Sequence, residues 1–153
     1  MRAVLQRVNS ASVHVENNCI GEINRGLLIF LGIEDSDQEA DLQYTIKKIL
    51  ALRIFADLEG KMNLSLQDIK GEILIVSQFT LIADTENGNR PSFFRAAKPE
   101  KAIPFYEKAI VELAKSGLKL QTGKFGADMQ VRIENDGPVT IVLDTCSLNK
   151  FPS

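Results

Sequence analysis

Hydroxyl and amide side chains gather where the chain should be wholly apolar. Ile73-Leu74-Ile75-Val76 is a continuous apolar run of the kind that fills a buried strand, and it breaks into Ser77-Gln78-Phe79-Thr80-Leu81. Polar side chains at the end of a core strand either cap it with their own hydrogen bonds or act on a substrate. On a regular strand Gln78 and Thr80 share one face and Ser77 and Phe79 the other; a bulge would bring all four together. Thr80 is a candidate nucleophile, but no base stands beside it in the sequence, and an internal threonine lacks the free amine that activates an N-terminal one. Backbone N–H groups at the same place can form an oxyanion hole, which needs no special side chain.

A second stretch, Met129 to Asp144, reads MQVRIENDGPVTIVLD. Met129, Val131 and Ile133 alternate with polar residues at strand period, and Val139, Ile141 and Leu143 alternate again. Asn135-Asp136-Gly137-Pro138 lies between them. Proline cannot donate to a sheet ladder, so it belongs at an edge, a bulge or a turn. Asn-Asp-Gly-Pro is ordinary hairpin-turn chemistry, and an X-Pro bond is also the one place where a cis peptide is cheap. The loop Gly88-Asn89-Arg90-Pro91-Ser92-Phe93-Phe94-Arg95 is basic with aromatics interleaved. From Gly88 to Lys101, Arg90, Arg95, Lys98 and Lys101 stand against Glu100 alone. Such a patch suits RNA phosphates and stacked bases, or it is a solvated loop.

Much familiar chemistry is missing. His14 is the sole histidine, on the polar face of an expected strand, which makes a Ser-His-Asp triad improbable and an exposed position the better expectation for it. His14, Cys19 and Cys146 have no zinc spacing, and neither the P-loop nor the dinucleotide glycine pattern occurs. Gly123-Lys124-Phe125-Gly126 is a weak phosphate signal. Catalysis would rest on hydroxyls, amides, backbone groups or the substrate itself.

The elements that must position these groups follow from patterning. At 153 residues the chain fits one domain, residues 1–153, large enough for a real core. Arg2 to Val8 and Ser10 to Glu16 read as two strands. Gly26 to Ile33 reads as a central strand, apolar on both faces. Ser36-Asp37-Gln38-Glu39 matches a capping box, and the helix it starts buries Leu42, Ile46, Ile49 and Leu50 and fades near Arg53. A strand runs Glu72 to Leu81. A second helix reaches about Ser116, burying Tyr106, Ala109, Ile110 and Leu113; it either begins at Pro104 or kinks there. Lys119 to Thr122 and Met129 to Asp144 complete the sheet. This order favours an α+β fold, with helices on a largely antiparallel sheet. The net charge of −2 argues against a protein that coats nucleic acid but allows a local basic patch. Two cysteines make no disulfide framework and read as reduced thiols of a cytosolic protein; no run is long enough to span a bilayer.

Ser77 to Leu81 and Asn135 to Thr140 resemble the two signature motifs of the D-aminoacyl-tRNA deacylases, long called D-tyrosyl-tRNA deacylases. Leu5-Gln6-Arg7-Val8, Gly88 to Phe93 and Thr122 to Met129 are also similar, and the likeness covers essentially the whole chain in order. The resemblance implies a barrel-like α+β domain with two main helices, working as a homodimer in the cytoplasm. It implies hydrolysis of the ester joining a D-amino acid to the terminal ribose of tRNA, a proofreading of chirality, with glycine mischarged on tRNA(Ala) as a further substrate. Gly137-Pro138 would be a cis pair reaching into the partner's site, where main-chain carbonyls reject L-substrates. Ser77, Gln78, Phe79 and Thr80 would form the catalytic site; Arg90, Arg95 and Met129 would meet RNA. No metal, cofactor or membrane is implied. Water attack assisted by the ribose hydroxyl is the preferred mechanism over a Thr80 nucleophile. The rivals are a non-catalytic RNA-binding module and a threonine-dependent esterase or amidase on small molecules.

Overall fold

The computed structural model describes the backbone of residues 1–150 and the side chains of residues 1–147, so the last residues of the expected 1–153 domain lie outside the described residues. The element order is β1 (Arg2–Val15), β2 (Asn18–Ile23), β3 (Gly26–Gly32), α1 (Glu39–Ala51), β4 (Phe55–Ala56), β5 (Met62–Leu64), β6 (Glu72–Ser77), α2 (Pro99–Ala114), β7 (Leu120–Thr122) and β8 (Gln130–Asp144). A 3₁₀ turn, Phe79–Ile82, follows β6, and another, Thr145–Lys150, follows β8. The main sheet runs β2-β1-β3-β6-β7, with β8 on the other edge of β1; β4 and β5 make a small separate hairpin.

β1 and β8 are long enough to organise everything else. The first half of β1 pairs with β3 and its second half with β2, while β8 runs antiparallel along almost its full length. β3 and β6 pair in parallel, as do β6 and β7, so α1 and α2 lie in the crossovers between parallel strands. β2 comes back against β7: a methyl group on Gly21 would stand 2.9 Å from the Thr122 carbonyl. The result is a nearly closed mixed sheet with two helices, as expected.

The apolar run of β3 is explained by burial on both faces. Leu27, Ile29 and Leu31 join Ile73 and Ile75 in the core beneath the helices, with Leu42, Ile49, Tyr106 and Leu113. Leu28, Leu74 and Val76 face the other way and pack with Val8, Val13 and Ile23 inside the curl of the sheet. A strand buried on both sides has no polar period to read.

Several expectations need correction. The two N-terminal strands are one, β1; Asn9 and Ser10 are exposed but stay in the sheet, because β8 supplies hydrogen bonds past the polar stretch. The strand from Glu72 ends at Ser77, and Phe79 to Leu81 turn into the 3₁₀ segment. The α1 capping box sits two residues later than expected: Gln38 caps, and its N–H donates to Asp41 at 2.8 Å. Asp37 is otherwise engaged, accepting from the Met1 ammonium and from Glu34 N–H. Of the two alternatives for Pro104, the helix start is overturned: α2 starts at Pro99 in the first helical position. Pro104 lies inside and forgoes the bond its N–H would make to the Glu100 carbonyl. Leu50 and Ile110 are only partly buried. His14 is half-buried rather than exposed, and its Nδ1 has no hydrogen-bond partner.

Asn135 to Pro138 is not a hairpin turn. β8 continues through it as one strand, and Asp136 to Val139 stand against Arg7 alone, between the pairs Val8–Asn135 and Gln6–Thr140. The segment is a large bulge at an edge, the other place where a strand proline is tolerated. Two side chains hold its shape. The Asn135 amide donates to Arg7 O (2.9 Å) and Val139 O (3.1 Å), closing the base of the bulge. Arg7 donates to the Asp136 carbonyl at 3.3 Å, pairs with its carboxylate at 3.0 Å and reaches Ile54 O at 2.7 Å. The Gly137-Pro138 peptide is cis, and Gly137 has φ +123°, a region that favours glycine.

Candidate active site

The parallel register of β3 and β6 brings their carboxyl ends to one edge, with Leu31 opposite Ser77. Gln78 N–H donates to Leu31 O at 2.8 Å, the last bond of that ladder. The chain then coils: Leu81 N–H donates to Gln78 O and Ala83 N–H to Thr80 O, both at 3.2 Å. Gly32 makes room for this coil. A Cβ there would lie 2.9 Å from Gln78 O and 3.0 Å from Leu81 Cβ. Arg2 holds the far side, donating through Nη1 to Leu81 O (2.9 Å) and through Nε to Asp144 (3.0 Å). Asp144 raises the Arg2 pKa, so this tether stays charged. Phe79 and Thr80 open the turn, where N–H groups have no partners within the helical segment itself.

A cavity of about 600 Å³ opens beside this turn. Its walls are apolar: Leu31 and Val76 from the strands, Ile33 just past β3, Ala97 and Ala102 near the start of α2, and Phe125, Met129 and Val131. Ser77, Gln78 and Phe79 form its polar end. Lys98 and Pro99 also line it, which sets the positive end of the α2 dipole and one ammonium at the mouth. This size and an apolar lining with few polar groups suit a small-molecule moiety. Among the described residues lining it, Lys98 is the sole ionisable side chain.

The expected residues divide into four groups. Ser77, Gln78, Phe79 and Met129 meet in the cavity wall. Thr80 is next to them but outside the lining, exposed, with its hydroxyl accepting from the Gln78 amide. That bond brings Gln78 and Thr80 together without any bulge in β6; the 3₁₀ turn does it instead. Arg90 and Arg95 are exposed on the loop before α2 and stand outside the lining. Gly137 and Pro138 are exposed on β8 and take no part in the cavity of their own chain.

Sequence reading missed the small residues Ala96, Ala97 and Ala102 and the turn Phe125-Gly126-Ala127, all cavity wall. The last of these lies within the Thr122 to Met129 stretch that resembles the family, and Phe125-Gly126 within the weak phosphate signal, but neither reading placed it in a cavity wall. The rim is aromatic as well: Phe79 and Phe93 pack edge-on, centroids 5.0 Å apart. Behind it, burial pushes the Tyr106 phenol up to about 12, and its hydroxyl donates to Ile75 O at 2.9 Å. That phenol is a structural group, neutral at any physiological pH. The Cys146 thiol is likewise pushed up, by burial and by the Glu34 carboxylate it donates to at 3.2 Å.

The cavity is apolar along its strands and helix and bordered at one end by the start of a 3₁₀ turn, a place where main-chain N–H groups are available to a ligand. The family model described as D-Tyr-tRNA(Tyr) deacylase matches residues 4–144. The chain belongs to that family, hydrolases that act on the ester bond of D-aminoacyl-tRNA. A solved structure described as c-Myc DNA Unwinding Element Binding Protein is 46% identical, with a TM-score of 0.90 over 95% of this chain and 99% of that one. Another, described as a probable eukaryotic D-amino acid tRNA deacylase, is 18% identical, with a TM-score of 0.82 over 93% and 97% of the two chains, and shares the fold.

Proposed function

We propose that this protein discharges D-aminoacyl-tRNA at the cavity beside Phe79–Ile82, as a homodimer in which each subunit's Gly137-Pro138 bulge completes its partner's site. One observation carries the reading: the cavity is lined by apolar residues except at Ser77 and Gln78, where the 3₁₀ turn begins, and at Lys98. The ester carbonyl sits against the Phe79 and Thr80 N–H groups, which stabilise the negative charge that develops on its oxygen. Gln78 and Ser77 position the terminal adenosine and the carbonyl. Water attacks the carbonyl carbon, the bond to the ribose oxygen breaks, and the water proton passes to that departing oxygen. The neighbouring ribose hydroxyl assists, because the cavity lining supplies neither carboxylate nor histidine among the described residues. No metal or cofactor has a part in this scheme.

Chirality is read by backbone. The enzyme must accept many side chains and refuse one hand, so its rejecting group should touch the α-carbon and ignore what hangs from it. The Gly137-Pro138 bulge is exposed, clamped by Arg7 and Asn135, and unused by its own cavity. These traits suit a group that works on another chain. β8 supports the pairing: among the described residues its only partner strand is β1, and Ile133 and Val142 lie exposed on it. Glycine has no side chain on the α-carbon, so glycyl-tRNA(Ala) partly escapes rejection and is also discharged. Arg90 and Arg95 hold tRNA phosphates while Met129 lines the subsite below. Residues 1–153 act as one domain, in the cytoplasm, where translation supplies the substrate.

The test is timed release of amino acid from D-tyrosyl-tRNA and L-tyrosyl-tRNA by the wild-type protein. Rapid release of the D-form with the L-form left charged supports the reading. Equal release from both, or from neither, contradicts it. Release from simple esters but not from tRNA would favour a small-molecule esterase.

A further inference from the structure

Phe94 is 92% exposed, yet its backbone is tied on both sides. Asp84 and Ser92 exchange N–H···O bonds of 2.7 and 2.9 Å, and Asp35 N–H donates to Arg95 O at 2.9 Å. Its own N–H lies 3.4 Å from the Ser92 hydroxyl. Phe93 turns inward to line the cavity and meet Phe79. Phe94, one residue on, lies outside that lining and faces water. Arg90, Arg95 and Lys98 surround it in sequence, all exposed. A lone exposed apolar residue needs no explanation. An exposed ring on an anchored backbone, between the cavity-lining Phe93 and Ala96 in sequence and with exposed cations on either side, has the make-up of a stacking platform for single-stranded nucleic acid.

Resting on the deacylase reading, we propose that Phe94 stacks on a base of the single-stranded 3′ end just before the terminal nucleoside, while Arg90 and Arg95 take the phosphates beside it. The terminal nucleoside occupies the cavity, so the preceding strand must leave across its rim. Charge favours RNA there: from Gly88 to Lys101 the segment carries four basic residues and one acid. Phe94 would then set how much of the tRNA end the enzyme feels, apart from the chemistry at the ester.

The test compares two substrates, D-tyrosyl-tRNA and D-tyrosyl-adenosine; the second carries the ester but no preceding nucleotide. Phe94→Ala should lower kcat/KM on the tRNA about tenfold, mainly through KM, since base–aromatic stacking falls in that range. It should leave D-tyrosyl-adenosine unchanged, and Phe94→Tyr should keep the wild-type rate on both. An equal fall on both substrates, or no fall on either, would overturn the proposal while the deacylase reading stands. Failure of the wild-type protein on both substrates would sink the two together.

Discussion

Thr80 is the residue most easily mistaken for the engine of the site. Its hydroxyl accepts from the Gln78 amide and has no base beside it. Thr80→Ala should therefore keep deacylation within about tenfold of wild type, whereas loss of an essential nucleophile costs orders of magnitude. Single-turnover kinetics on D-tyrosyl-tRNA decide this, and an acyl-enzyme trapped on Thr80 would refute direct water attack. Gly32 makes the converse case. Gly32→Ala puts a methyl 2.9 Å from Gln78 O, which must push the donor turn away from β3. We expect about 1–3 kcal/mol of destabilisation and a fall in rate larger than that of Thr80→Ala. Thermal unfolding and discharge rates measure the two effects separately, and an unchanged rate would show that the turn's position is immaterial. At this scale the sequence was legible where chemistry clusters, as in Ser77-Gln78-Phe79. It was silent on Gly32, because a glycine ending a strand looks like any other until the group it makes room for is placed.

Elements were legible where one period governs them and obscure where tertiary pairing overrides it. The long runs of β3 and β6 and both helices could be read directly. The continuity of β1 and β8 could not. Asn9-Ser10 and Asn135 to Pro138 carry local break signals, and each stretch is kept in the sheet by hydrogen bonds to the other strand. The start of α2 was obscure for the same reason, since packing of Ala102 and Tyr106 helps hold the helix on both sides of Pro104. The α1 cap gives an element-scale prediction. Burial alone would raise the Asp41 pKa; the Gln38 N–H, the Thr145 hydroxyl and the N-terminal ammonium outweigh it and hold it below the ordinary value of 3.8. A carboxylate with a depressed folded pKa contributes stability above its unfolded value and loses that contribution as pH falls through the folded one. Asp41→Asn should thus cost about 0.5–2 kcal/mol near neutral pH. The gap should narrow as pH drops below about 3.8. Urea unfolding at several pH values tests this, and a gap independent of pH would mean that the cap contributes nothing through its charge.

At the scale of the molecule, Gly137 and Pro138 lie outside the cavity lining of their own chain, and in the proposed function a second copy brings bulge and cavity together. The motifs announced both, but one chain's pattern holds no signal for which surface meets a partner. Two variants separate the halves of the composite site. Gly137→Ala puts a methyl 3.0 Å from Arg7 Nη2 and 2.9 Å from Val139 Cγ2, at a φ that L side chains rarely adopt, and so deforms the bulge. Ala127→Trp fills the cavity from a half-buried turn. Each homodimer should be impaired, the first in chiral discrimination or D-substrate rate and the second in rate. The decisive measurement is discharge of D- and L-tyrosyl-tRNA by subunits of the two variants unfolded together and refolded as a mixture. Random pairing leaves one intact composite site in half of the dimers, so selective D-discharge should return to about a quarter of the wild-type rate. Activity no greater than the average of the two homodimers, or an active wild-type monomer, would contradict a site shared between subunits.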